Sequence, residues 1–248
     1  MIENILTVGQ QVLILFIIIA IGFICGKTKL ITESACKCIT NLVLYFVTPC
    51  VIMEAFQRDF VPEMLINLGI MALCAATVHF IAIIICFAAF RDKDESRKRV
   101  LRFSVIFSNC GFMSLPLQQA ILGSEGVFYG AAFVAVFNII VWTYGIYQMS
   151  GDKTFLSPKK LIFNPGILGV VFGMILFIFS VHLPPIIATP ISYMANLNTP
   201  LPMIIIGFYL SQTKLVKSLS DFGIYFSAVL RLVIVPAISL TIFYFCGV

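Results

Sequence analysis

The chain's most chemically pointed stretch is Asn109-Cys110-Gly111-Phe112-Met113-Ser114-Leu115-Pro116, which lies inside an apolar run over 101–122. Pro116 lacks a backbone donor and its ring crowds the preceding turn, while Gly111 adds freedom. The helix is therefore expected to break or unwind between them. Carbonyls and amides freed in an apolar medium need protein or a water-filled cavity to satisfy them. Asn109 offers a donor and an acceptor at that point. A half-helix starting at the break aims its positive end into the cavity, which suits an anionic group. The alternative is a proline kink with Asn109 bonded to a neighbouring helix, a contact worth about 1 kcal/mol.

Other polar residues stand in apolar surroundings. Asn138 precedes Trp142 by four residues, and faces the same cavity or bonds another helix. Thr48-Pro49 closes the core of the second apolar run. Asn196, Asn198, Thr199, Pro200 and Pro202 make the seventh run irregular. Either that run lines a pathway, or its first part is an outer loop and only residues from about 200 onward cross. Arg231 lies well inside the eighth run, where it serves a substrate or snorkels to the surface. No Asp or Glu lies deep in a run, which argues against a carboxylate relay. His79 is the one other titrating candidate, and a single His is more often packed and hydrogen-bonded. There is no phosphate loop, metal constellation or nucleophile with a base, so neither enzymatic chemistry nor a cofactor is expected. The eight cysteines form no Cys-x-x-Cys pair and read as small residues easing helix contact.

These residues need helices to hold them. Of 248 residues 60% are hydrophobic and 11% charged, and the mean hydropathy is +1.07. Such a composition cannot cover a soluble surface. It excludes a soluble enzyme, a disordered chain, a secreted disulfide scaffold and a nucleic-acid binder. The reading is an all-α polytopic membrane protein. Eight spans are placed near 8–26, 38–56, 66–90, 101–122, 126–149, 162–182, 187–211 and 222–247. Fourteen of the sixteen basic residues fall in odd-numbered connections, Arg58 and Arg231 being the exceptions. By the positive-inside rule those connections are cytoplasmic and the N-terminus is outside. The first run lacks the basic flank of a signal peptide and reads as a retained span.

Two units are expected, 1–150 with five spans and 151–248 with three. Thr48-Pro49 in the second span and Thr199-Pro200 in the seventh occupy corresponding places. Because five is odd, the second unit is inverted relative to the first, a secondary-transporter architecture. On this reading the inverted five-helix repeat is incomplete in its second half.

The segment Asn109–Pro116 resembles the Asn-(x)6-Pro segment in the fourth helix of the auxin efflux carrier family. Phe137–Tyr144 is similar to that family's fifth helix, with Asn138 at the position of a Gln in plant carriers. Asn164-Pro165-Gly166-Ile167 resembles the start of the sixth helix, Thr199-Pro200-Leu201 through Gly207 the seventh, and Arg231–Pro236 the eighth. The resemblance implies a ten-helix transporter fold, here without counterparts of helices nine and ten. It also implies prolines crossing beside a substrate site, and core helices moving against a scaffold of helices one, two, six and seven. Asn109, Gly111 and Pro116 would take the crossover role and Asn138 a supporting one. The expected function is alternating-access transport of a small organic anion, a malate- or malonate-like carboxylate or an auxin-like acid, at the plasma membrane. The expected partners are that anion, the lipid bilayer and a second copy in a homodimer. The alternative is a truncated, non-transporting or partner-dependent membrane protein.

Overall fold

In lipid an apolar run must close its backbone hydrogen bonds within itself. The described residues of the computed structural model, 2–91, 94–152, 163–214 and 219–247, are helical with short connections and contain no strand. Lys93, Lys217 and the basic connection at Lys153, Lys159 and Lys160 lie outside them.

Local chemistry sets the helix ends. The uninterrupted apolar helix α1 (Ile2–Lys27) has its base in the last turn, where it favours the negative end of the dipole. The next, α2 (Glu33–Ala55), is capped by Thr32, whose hydroxyl accepts from Ala35 N at 3.2 Å. Proline in the first turn starts α3 (Pro62–Ala89). The short helix α4 (Glu95–Ile106) is capped by Asp94, which accepts from Ser96 N at 2.9 Å and Arg97 N at 3.2 Å. After a break, α5 (110–122) runs to Gly123, where φ 67 and ψ −157 turn the chain into α6 (124–150). Gly151, left-handed at φ 71, ends α6. There follow α7 (Pro165–Ile178), α8 (Pro185–Ala195), α9 (Pro200–Gln212) and α10 (Phe222–Cys246).

Among the described residues four π turns interrupt these helices, at Val43–Val47, Cys110–Ser114, Val141–Gly145 and Leu230–Ile234. Three stand two residues ahead of a proline: Pro49, Pro116 and Pro236. A proline ring crowds the carbonyl four residues back and offers it no donor. The wider turn gives that carbonyl room.

Five helical stretches among the described residues are long and apolar enough to cross a membrane: Ile5–Lys27, Glu33–Ala55, Pro62–Ala89, the composite Glu95–Ser150 and Phe222–Cys246. The run at 101–122, expected to break, and the irregular run at 187–211 are each two helices. The first divides into α4 and α5, about 18 and 20 Å long at 1.5 Å per residue. The second divides at Asn196–Asn198, a single 3-10 turn. Its first part is thus a helix packed on the second half of α2, and not an outer loop.

Two apolar cores hold the bundle. One joins α2, α6 and α7 through Phe56, Phe128 and Phe177, with ring centroids 5.0 to 6.3 Å apart. The other joins α3, α4 and α10 through Cys86, Ile106, Leu230 and Val235. Leu115 of α5 belongs to the first core and Val105 of α4 to the second, so the break between them bridges the two. Against α1 lies α9, with the two backbones nearly touching. A Cβ on Gly207 would collide with the Ile19 carbonyl, and one on Gly22 with the Ile204 carbonyl. Such close approach is available only to glycine. Large apolar side chains such as Leu13, Phe16, Phe80, Leu232 and Phe245 are turned outward.

Candidate functional site at a broken helix

The break falls at Phe107–Asn109, one turn earlier than the segment between Gly111 and Pro116 where the sequence places it. Phe107 is extended (φ −105, ψ 121) and Asn109 has φ −80 and ψ 61. Pro116 lies in the first turn of the helix that begins at Leu115, and the π turn absorbs its ring, so the proline itself breaks nothing. Ending α4 early leaves the carbonyls of its last turn without helical partners. Arg231 takes them: Nη1 donates to Val105 O at 2.9 Å and to Ile106 O at 3.4 Å. Its charge also meets the negative end of α4. The same helix α10 holds the other end of α4, where Asp221 pairs with Arg97. Arg231 is therefore bound to backbone and lines neither of the two cavities that flank the break.

One cavity, of about 420 Å³, lies beside the break and is lined from Phe103 of α4 to Met149 of α6. Its lining includes the polar Thr48, Ser108, Asn109 and Asn138, the glycines Gly111 and Gly145, and the large apolar Phe103, Phe112, Phe137 and Trp142. Among the described residues no charged side chain lines it. Asn109 makes no side-chain cap on α5, so the first amides of that half-helix have no cap from it. Thr48 Oγ1 donates to Val43 O at 3.0 Å across its π turn, and Asn138 Nδ2 donates to Val134 O at 2.9 Å. A side pocket of about 340 Å³ shares Thr48, Asn138 and Trp142 and reaches the start of α7. There Asn164 caps the helix, its Oδ1 accepting from Ile167 N at 3.1 Å. Two helix N-termini thus face linked spaces, an arrangement that favours negative charge.

The second cavity, about 950 Å³, lies on the far side of the contact between Asn198 and Gly111, and its lining mixes polar and apolar groups. Pro116, Asn198 and Thr199 line it, with Arg58, Glu54, Glu125 and Gln119. Between the two cavities Asn198, 5% exposed, donates from Nδ2 to Gly111 O at 2.9 Å. The structure so brings Thr48, Asn109, Gly111 and Asn138 to one cavity and Pro116, Asn198 and Thr199 to the other. Pro49 and Pro200 line neither. Pro49 packs against Gly169 of α7, where an added Cβ would sit 2.9 Å from its Cα. His79 is buried, its Nδ1 donating to Ala75 O at 2.7 Å, among Phe107, Phe133 and Phe137. The sequence reading missed the N-terminus of α7 as a wall of the site, although the Asn-Pro pair marks a helix start. It also passed over Arg58, the lone base in an even-numbered connection.

An apolar helical bundle with opposed cavities meeting at a broken helix is the build of a membrane transporter. A family model described as membrane transport protein matches residues 7–156 and 153–248, and the chain belongs to that family, the auxin efflux carriers that its motifs resemble. Among curated relatives, an uncharacterized transporter of Methanocaldococcus jannaschii is 24% identical, aligned over 93% of this chain and 77% of its own length. Another, of Methanothermobacter thermautotrophicus, is 24% identical over 95% of this chain and 78% of its own. The protein is an integral, multi-pass membrane protein of transmembrane transport.

Proposed function

We propose that the protein carries a small organic anion, a mono- or dicarboxylate or an auxin-like acid, across the plasma membrane by alternating access. Eight spans with the N-terminus outside, arranged as units 1–150 and 151–248 of inverted sense, would do this, with a homodimer as the working assembly. The observation that carries the reading is the thin septum of Asn198 on Gly111, with one cavity on either side. A substrate passes if that contact opens while access switches from one cavity to the other.

Magnitudes say what the anion needs. Removing a carboxylate from water costs several kcal/mol even after relaxation. A helix N-terminus returns about 0.3–2 kcal/mol, and a hydrogen bond to a charged group about 1.5–3 kcal/mol. Two dipoles alone do not suffice. Two or more direct donors are required, and the Asn109 amide with the first amides of α5 supplies them.

The test is uptake of labelled malate, malonate and indole-3-acetate into proteoliposomes. Asn109→Ala is expected to lower flux of the transported acid about tenfold or more, the loss of one charge-assisted bond. Flux that survives both Asn109→Ala and Pro116→Ala would overturn the site. A folded chain that moves none of these acids is the outcome expected of the non-transporting alternative.

A further inference from the structure

The two cavities differ in charge. Three ionic side chains stand on the wall of the larger one: Arg58, Glu54 and Glu125. The guanidinium is fixed in place. Its Nε donates to Ala55 O at 3.1 Å, its Nη2 donates to Ser124 O at 2.9 Å, and its carbon lies 4.6 Å from the Phe128 ring centroid. A guanidinium carries five N–H donors, and both bonds go to backbone, so its charge meets no carboxylate through them. Among the described residues no ion pair joins Arg58 to Glu54 or Glu125, and both carboxylates are exposed. Positive and negative charge thus line one cavity without closing into an ion pair among the described residues. That pattern discriminates among ligands by sign. A dianion meets two carboxylates, and a plain cation meets the arginine. A molecule with one charge of each sign satisfies both walls.

We propose that this cavity is a binding site for a small zwitterion of the α-amino acid type, its carboxylate on Arg58 and its ammonium on Glu54 or Glu125. The planar fork of the arginine suits a carboxylate bidentately, and its fixed stem removes part of the ordering cost. This site goes beyond the transport reading and needs no flux to be observed.

The test uses the full chain in lipid nanodiscs and equilibrium binding of labelled glycine, with acetate and methylamine, its two halves, as separate probes. Glycine is expected to bind about tenfold more tightly than either half, the worth of one charge-assisted contact. In the double variant E54Q/E125Q, at two exposed positions, glycine binding should weaken about tenfold while acetate binding tightens. In R58Q glycine binding should be lost while methylamine binding stays. Because Arg58 also holds backbone carbonyls, R58Q is read only beside its thermal midpoint, and the double variant decides the matter if R58Q unfolds. Glycine binding that leaves emission of the single tryptophan, Trp142 in the other cavity, unchanged supports the assignment. Acetate binding as tightly as glycine in the wild type, or glycine affinity unmoved in E54Q/E125Q, overturns it. So does a Trp142 response to glycine that vanishes in Asn109→Ala, since the ligand would then sit at the other cavity.

Discussion

The seam between α1 and α9 and the break between α4 and α5 use glycine in opposite ways. At the seam, Gly22 and Gly207 leave no room: a single added carbon on either would strike backbone of the facing helix. At the two ends of α5, a Cβ on Gly111 beside the break or on Gly123 at the turn into α6 would meet nothing within 4 Å. The first pair serves distance, and the second serves shape. One region is closed down to backbone contact. The other is held open by an arginine on spare carbonyls and by one amide bond from Asn198. A carrier needs both, because a site can change shape only against a part that does not.

The contrast can be broken by substitution. The largest effect is expected for Gly207→Leu, which forces the backbones of α1 and α9 apart. Overpacking of this kind costs about 3 kcal/mol or more, read as a fall in the unfolding midpoint in detergent. A milder fall than any break variant shows would end the comparison. Arg231→Leu comes next, leaving the Val105 and Ile106 carbonyls without their donor at a cost of about 1–3 kcal/mol. Arg231→Lys should recover part of this, since one point charge can still reach a carbonyl. A role on substrate alone would instead leave the unfolding midpoint unchanged.

Smaller changes sharpen the picture. Gly123→Ala has space but not conformation, because φ 67 with ψ −157 lies where only glycine is at ease, and about 1–2 kcal/mol should be lost. Gly111→Ala, with space and no positive φ, should move stability by less than about 0.5 kcal/mol while lowering flux. Equal losses in the two would mean that the positive φ at Gly123 carries no cost of its own. The smallest effect is at Asp221, whose carboxyl is held below the usual range first by its bond from Arg97 and then by the Gly223 amide. A depressed folded value contributes stability above the ordinary carboxylate pKa of about 3.9, and loses it as pH falls through the lower folded value. Acid titration of the unfolding midpoint should show this loss in the wild type and not in Asp221→Asn.

Much of this was legible in the sequence and some could not be. The apolar runs located the helices, because lipid tolerates little else. Asn109 and Asn138 were marked by being polar where polarity is costly, and both line one cavity. Pro49, Pro116 and Pro200 look alike in a sequence, yet only Pro116 of the three reaches a large cavity. What separates them is the neighbour: Pro49 is covered by Gly169, more than a hundred residues away. Arg231 misled for the same reason. A buried arginine announces that something anionic or electron-rich is near, but backbone carbonyls carry no sequence signal. The seam was hidden too, since Gly22 and Gly26 at one helical spacing mark a contact face without naming its partner.

The π turns have a consequence for how this chain is compared and edited. Each holds one residue more than the α-helix around it needs, and so shifts the phase of everything that follows by about 100°, one step at 3.6 residues per turn. Asn138 and Trp142, nominally one turn apart, straddle the start of such an insertion. An alignment of relatives scored by helical periodicity must therefore allow single-residue gaps at Val43–Val47, Cys110–Ser114, Val141–Gly145 and Leu230–Ile234. Deleting one residue within Val43–Val47, Val141–Gly145 or Leu230–Ile234 would leave an unbroken helix of ordinary pitch, with its far half facing a different neighbour.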